Sequence, residues 1–173
     1  MKIDKEIQGN VQVPYTFLKG TLDINAKYFM SKIDDGISEK TSHKTNVKSD
    51  MTSWTYFIND IEFLKIMMTI LDKIDTLPVS KTISYRLSDA WGIRQNFSDY
   101  TERHAHNPCF LSGVIYLNNS DQHLLFPDIN EKVTPKKGSF AIFSSFLNHS
   151  TKRNKTFKSK YAISFNLSHK GFD

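Results

Sequence analysis

The sequence predicts a mainly β protein with flanking α-helices, a β-sandwich or jelly-roll core preceded by N-terminal helices. Two observations carry this. From Ile83 onward the chain breaks into short runs, ISYRL, WGIRQNF, FLSGVIYL, HLLF, SFAIFSS and YAISFNL, rich in aromatic and β-branched residues and bounded by Asn, Asp, Pro, Gly or Lys. Upstream, one long segment has helical periodicity instead. At 173 residues, 39% hydrophobic and 13% aromatic, the chain is long enough to bury one core and too short to make two probable on length alone. The expectation is a single domain over 1–173, with 1–80 as a helical and strand support region and 81–173 as the β core.

Taken in order, VQVPYTFLKGTLD contains strand-like stretches, AKYFMSKIDDGI suits a short helix, and Ser38 to Asp50 reads as a polar loop. In FINDIEFLKIMMTILDKID, residues 57–75, Ile61, Leu64, Met67, Met68, Leu71 and Ile74 recur at helical spacing, with Asn59 as N-cap and Glu62 as its third-position partner. The methionines read as core filler. Pro78 ends this helix. The support region is expected to pack outside the barrel and shape the substrate entrance.

The single cysteine, Cys109, excludes an intramolecular disulfide, and there is neither a signal-peptide pattern nor an 18-residue apolar run. These point to a cytoplasmic protein with no membrane segment. The net charge of +5 and pI near 9.2 include one cluster, KRNKTFKSK from Lys152 to Lys160. Scattered lysines on a solvated surface explain such a balance more simply than nucleic-acid binding does.

ERHAHNP, residues 102–108, places His104 and His106 two apart, which in extended chain points both imidazoles the same way. His149, after the aromatic strand SFAIFSSF, is the third candidate, and three imidazoles suit iron, zinc, copper or nickel. His43, His123 and His169 read as surface histidines. In the last strand, Tyr161, Ile163, Phe165 and Leu167 alternate with Lys160, Ala162, Ser164 and Asn166, so one face is small, polar and headed by a cation able to hold an anion.

Together, WGIRQNFSDYTERHAHNPCFLSGVIYLNN, LLFPD, PKKGSFAIFSSFLNHS and KYAISFNL resemble the double-stranded β-helix core of the iron(II)- and 2-oxoglutarate-dependent dioxygenases, most closely small bacterial and phage-type members with His-x-His. The resemblance covers about Ala90 to Leu167. It implies Fe(II) held by His104, His106 and His149, with 2-oxoglutarate as cosubstrate. It further implies Lys160 pairing with the far carboxylate, a role lysine fills in prolyl 4-hydroxylases, and hydroxylation of a substrate with release of succinate and carbon dioxide. Tyr116 and Ser112 on one strand, and Ser164 and Asn166 beside Lys160, are candidates for binding the cosubstrate.

The sequence departs from the family at His106, where a carboxylate is usual; Asp128 or Glu102 are the alternative acids. The site residues alone also fit a three-histidine zinc enzyme or a non-catalytic jelly-roll binding protein. The substrate is open among a protein side chain, a nucleic acid and a small metabolite. A phage-encoded member would act in the cytoplasm of its bacterial host.

Overall fold

The computed structural model describes residues 12–38, 45–76 and 84–170. Its strands are β1 (Phe17–Thr21), β2 (Val47–Lys48), β3 (Asp50–Met51), β4 (Tyr85–Gln95), β5 (Tyr100–His104), β6 (Leu111–Tyr116), β7 (Leu124–Phe126), β8 (Glu131–Val133), β9 (Ser139–Ser144), β10 (His149–Thr151) and β11 (Lys160–His169). They form a six-stranded sheet, β1-β9-β6-β11-β4-β3, facing a five-stranded sheet, β2-β5-β10-β7-β8. Every neighbouring pair is antiparallel. Strands β4 to β11 place four strands in each sheet in the double-stranded β-helix order, which is the predicted jelly-roll. The support region does more than cover it: β1 and β3 extend the six-stranded sheet at its two edges, and β2 extends the other.

The expected runs ISYRL and WGIRQNF are one strand, the 11-residue β4. The polar step between them is a bulge, where the register against β11 passes from Asp89 to Leu87 and skips Ser88; Ser88 Oγ donates to the Asn166 carbonyl (3.1 Å) and Asp89 accepts from the Asn166 amide (3.1 Å). Strands β5, β8 and β10, read as YTERH, EKV and HST, are short and polar. They lie in the sheet whose outer face meets water, so they carry little hydrophobic pattern.

Helices α1 (Ala26–Ser38) and α2 (Ile61–Asp75) pack on the six-stranded sheet. The cap of α2 is Asp60, which accepts from the Phe63 N–H (3.0 Å), rather than Asn59. The buried stripe is Phe63, Met67, Ile70 and Ile74, whereas Ile61 and Met68 are 70% and 65% exposed. Both stripes are apolar at helical spacing. The phase is decided by the aromatic floor, where Phe63 meets Phe57 and Phe165 at 5.9 and 6.2 Å between ring centroids. Pro78 and His43 lie outside the described residues.

Two cores result. The first joins helix residues such as Phe29, Ile33, Phe63 and Met67 to one face of the six-stranded sheet. The second, with Val114, Tyr116, Phe126, Phe143 and Ala162, lies between the sheets. Strand β6 is therefore buried at all six positions. Gly113 sits where a Cβ would stand 2.1 Å from the Phe165 ring, so the close approach of β11 at this point requires glycine. Among the described residues no helix is long and apolar enough to cross a membrane.

Candidate metal centre

His149 and His104 are direct partners across the β10–β5 ladder. Two positions further, Thr151 pairs with Thr101, so β5 uses three steps where β10 uses two. This bulge turns both Thr101 and His104 toward the space between the sheets, whereas simple alternation from Thr101 would have aimed Arg103 there. His106 lies just beyond β5 and is fixed by its own N–H, which donates to the Ser145 carbonyl (2.8 Å) in the turn before β10.

One ring nitrogen from each of His104, His106 and His149 lies within 4.8 Å of the others. His104 Nδ1 sits 2.8 Å from the Glu102 carbonyl and His149 Nδ1 sits 3.0 Å from the Leu147 carbonyl. A carbonyl only accepts, so both Nδ1 atoms carry the hydrogen and both Nε2 atoms present lone pairs. His149 Nε2 faces His106 Nε2 at 3.2 Å.

All three rings are held neutral. Burial, with the neighbouring imidazoles second, pushes His106 down to about 4 and His149 to about 3, and burial lowers His104. Phe126 and Phe143 wall His149 (centroids 5.7 and 4.8 Å), and Trp91 stacks on His106 (6.1 Å, 27°). Three neutral imidazoles converging on one point fit a transition-metal cation, with backbone carbonyls orienting two of them.

Neither alternative acid is in this cluster. Glu102 turns outward to Lys48 (3.6 Å). Asp128 is held by Arg103 (2.6 Å) and by the backbone and side-chain N–H groups of Asn148 (2.9 and 3.0 Å). A buried polar chain beside the cluster ends instead in Asp89: Asn166, a neighbour of His106, donates to Asp89 (3.1 Å) and accepts from Ser112 Oγ (2.8 Å). Ser112 in turn pairs with the Ser145 hydroxyl (2.9 Å).

A cavity runs from the histidines between the sheets. Its floor is built from cross-strand rows: Trp91, Ser164 and Val114; then Ile93, Ala162 and Tyr116; then Gln95 and Lys160. Small residues on the central strand β11, flanked by large ones on β4 and β6, leave the hollow. Thr101 and Thr151 close the roof above the Lys160 end. Lys160 is only 3% exposed and has no carboxylate within ion-pair distance among the described residues; its ammonium lies over the Tyr116 ring at 5.8 Å. Burial alone pushes it down to about 7. A buried cation without an anion at the end of a cavity is a built receptor for one. Tyr116 is likewise fully buried, and burial raises its hydroxyl pKa.

Sequence reasoning missed Trp91, whose indole N–H is buried in this cavity wall with no hydrogen-bond partner. The signal was present in the alternation of Trp91, Ile93 and Gln95, which puts them on one face of β4. His123 and His169, expected at the surface, are half-buried and lie outside the cluster.

No family model matches the sequence, and no curated protein matches it. Solved structures do match, at low identity. The viral collagen prolyl hydroxylase of Paramecium bursaria Chlorella virus 1, in its 2-oxoglutarate complex, is 16% identical over 88% of this chain and 94% of its own, with a TM-score of 0.67. A Pseudomonas putida prolyl-4-hydroxylase is 12% identical over 90% and 93%, TM-score 0.66. HygX of Streptomyces hygroscopicus, with nickel and 2-oxoglutarate bound, is 10% identical over 91% and 83%, TM-score 0.65. The chain therefore has the double-stranded β-helix fold that these 2-oxoglutarate-binding enzymes and prolyl hydroxylases share.

Proposed function

We propose that the protein is an Fe(II)- and 2-oxoglutarate-dependent oxygenase that hydroxylates its substrate, with His104, His106 and His149 holding the metal. The observation that carries this reading is the pairing of two features in one cavity: converging neutral imidazoles, and a buried, unneutralised Lys160. 2-Oxoglutarate matches both, with a 2-keto acid to chelate a metal and a remote carboxylate to meet an ammonium. The solved structures sharing the fold support it.

When bound, iron and 2-oxoglutarate supply the oxidising chemistry: dioxygen is consumed, the keto acid leaves as succinate and carbon dioxide, and the substrate is oxidised. The chain's own part is to hold and orient. The Glu102 and Leu147 carbonyls lock two imidazoles with Nε2 inward, and the Ser145 carbonyl, accepting the His106 backbone N–H, positions the third residue. Lys160 takes up a proton as a carboxylate arrives, since the anion restores the ammonium that burial disfavours. Tyr116 and Ser164 line the path between, and Trp91, Phe126 and Phe143 keep bulk water from the histidines. Without a carboxylate ligand the site starts one unit more positive, which favours a dianionic cosubstrate.

On this reading the protein acts in a reducing compartment, the cytoplasm, with which a single cysteine is compatible, on a protein side chain, a nucleic acid or a small metabolite. The test is succinate release from 2-oxoglutarate with iron(II) under air, in the wild type and in His149→Ala. Iron-dependent succinate lost in the variant supports the reading. Metal-independent release refutes it, and hydrolytic activity with zinc and none with iron refutes it in favour of a zinc hydrolase.

A further inference from the structure

Charge is segregated along this chain. Residues 132–172 hold nine Lys and Arg and no Asp or Glu, whereas the first 131 residues hold 14 cations against 17 acids. The fold then gathers much of that charge at one end. The loops at 96–99, 118–123, 134–138 and 152–159 lie at the end of the barrel opposite the turns that hold His106 and precede His149. They are tied together by Asn154 N–H to the Asp99 carbonyl (2.8 Å), Asn118 Nδ2 to the Ser159 carbonyl (2.8 Å), and Ser120 N–H to the Pro135 carbonyl (3.1 Å).

On this end, Phe157 is 90% exposed and Phe97 50%, and their rings stack at 4.8 Å and 14°. The pair is preorganised. The loop carrying Phe157 is built on Asn154, 2% exposed, which donates to the Gln95 and Lys158 carbonyls (3.1 Å each) and accepts from the Thr156 N–H (3.1 Å). Arg153 is fixed over the Tyr100 ring at 4.5 Å while donating to the Ser98 carbonyl (3.0 Å). Lys152, Lys155 and Lys158 are exposed and have no acid within ion-pair distance among the described residues.

Beside the aromatic pair lies a cleft whose lining includes Gln122, His123 and the cations Lys132, Lys152, Arg153 and Lys155 against a single acid, Asp121. Gln122 is 6% exposed; its amide N–H groups are bonded to Asp99, Thr151 and Lys152, but its Oε1 is buried without a partner, as is His123 Nδ1. Unpaired cations beside an exposed aromatic pair ask for a ligand carrying both an anionic group and a flat ring to stack. Nucleotides offer both. An acidic peptide side chain or a bare phosphate offers the anion alone.

We infer that this end of the barrel binds single-stranded nucleic acid, with the Phe97–Phe157 pair as a stacking platform for a base and the cleft as the site of an adjacent phosphate and nucleoside edge. The surface lies at the end of the barrel opposite the three histidines, and it tethers the protein rather than presenting a base for reaction.

The experiment is fluorescence anisotropy of labelled 12-nucleotide single strands, one DNA and one RNA, titrated with the full chain at several salt concentrations. Binding is expected with a salt slope of about −3 for the four cations Lys152, Arg153, Lys155 and Lys158. Phe157→Ala is expected to weaken binding about tenfold without changing the slope, because it removes stacking and no charge. Lys155→Glu with Lys158→Glu is expected to reduce the slope by about 1.4. Lys27→Glu, an exposed change on α1 of the same charge as one of these, is expected to leave affinity within twofold. Preference for the RNA or the DNA strand identifies the source. No binding of either strand at low salt, no effect of Phe157→Ala, equal loss in Lys27→Glu, or tighter binding to polyglutamate or anionic vesicles than to the strands would each overturn the inference.

Discussion

Replacing Lys160 by methionine separates the cost of burying this cation from its use. The stem is retained and the charge is removed. Burial brings its pKa from 10.5 to about 7, which at about 1.4 kcal/mol per pH unit is a penalty of roughly 5 kcal/mol on the charged form. Between pH 7 and 10.5 the unfolded chain binds more protons than the folded one, so wild-type stability rises with pH across that window, and the penalty is fully present below 7. Metal-free, ligand-free Lys160→Met is therefore expected to exceed the wild type by up to about 5 kcal/mol at pH 6 and by about 2 kcal/mol at pH 9. Urea unfolding at the two pH values measures this. With nickel as a redox-inert metal already bound to both proteins, added 2-oxoglutarate is expected to raise the Tm of the wild type further and leave that of the nickel-loaded variant unmoved. A variant less stable than the wild type at pH 6, or a difference that ignores pH, means the ammonium already has an anion. A variant that still binds 2-oxoglutarate normally means Lys160 does not hold it.

Three further outcomes follow from the geometry. His106→Asp restores the more usual carboxylate and should keep iron binding, whereas His106→Ala should lower metal affinity at least tenfold; metal content after desalting distinguishes them. Asn166→Ala strips partners from Ser112 and Asp89 beside His106 and should cost about 2–3 kcal/mol of stability, read by denaturation. Asp60→Ala removes both the α2 cap and the acceptor of the Tyr28 hydroxyl (2.7 Å). It should cost about 2 kcal/mol in urea unfolding with no change in metal binding.

How much of this was legible beforehand depended on where the signal was local. The runs at β6, β9 and β11 are apolar because both of their faces are covered, and they read as strands directly. Lys160, Ala162 and Ser164 could be placed on one face because β11 keeps its alternation over that stretch. Strand β5 could not be read this way: YTERH has little apolar content, and its bulge against β10 breaks the period that would have shown which residues turn inward. The His-x-His motif was visible, but its reason is not strand alternation; His104 is aimed by the bulge and His106 by the Ser145 carbonyl. The Ser112–Asn166–Asp89 chain beside His106 joins residues far apart in sequence, and nothing local announces it. The phase of α2 was undecidable from its own residues, because two apolar stripes competed and only the sheet beneath chose between them.

The two tryptophans of this chain are Trp54 and Trp91, with ring centroids 4.6 Å apart, and Trp91 lies flat against His106. All indole emission therefore originates beside the proposed metal. A paramagnetic ion such as iron(II) or nickel(II) at the histidines would darken that emission, whereas zinc, with its filled shell, would leave it bright. The chain would thus report optically whether a paramagnetic ion or zinc sits at the histidines, in dilute solution without a label and without turnover.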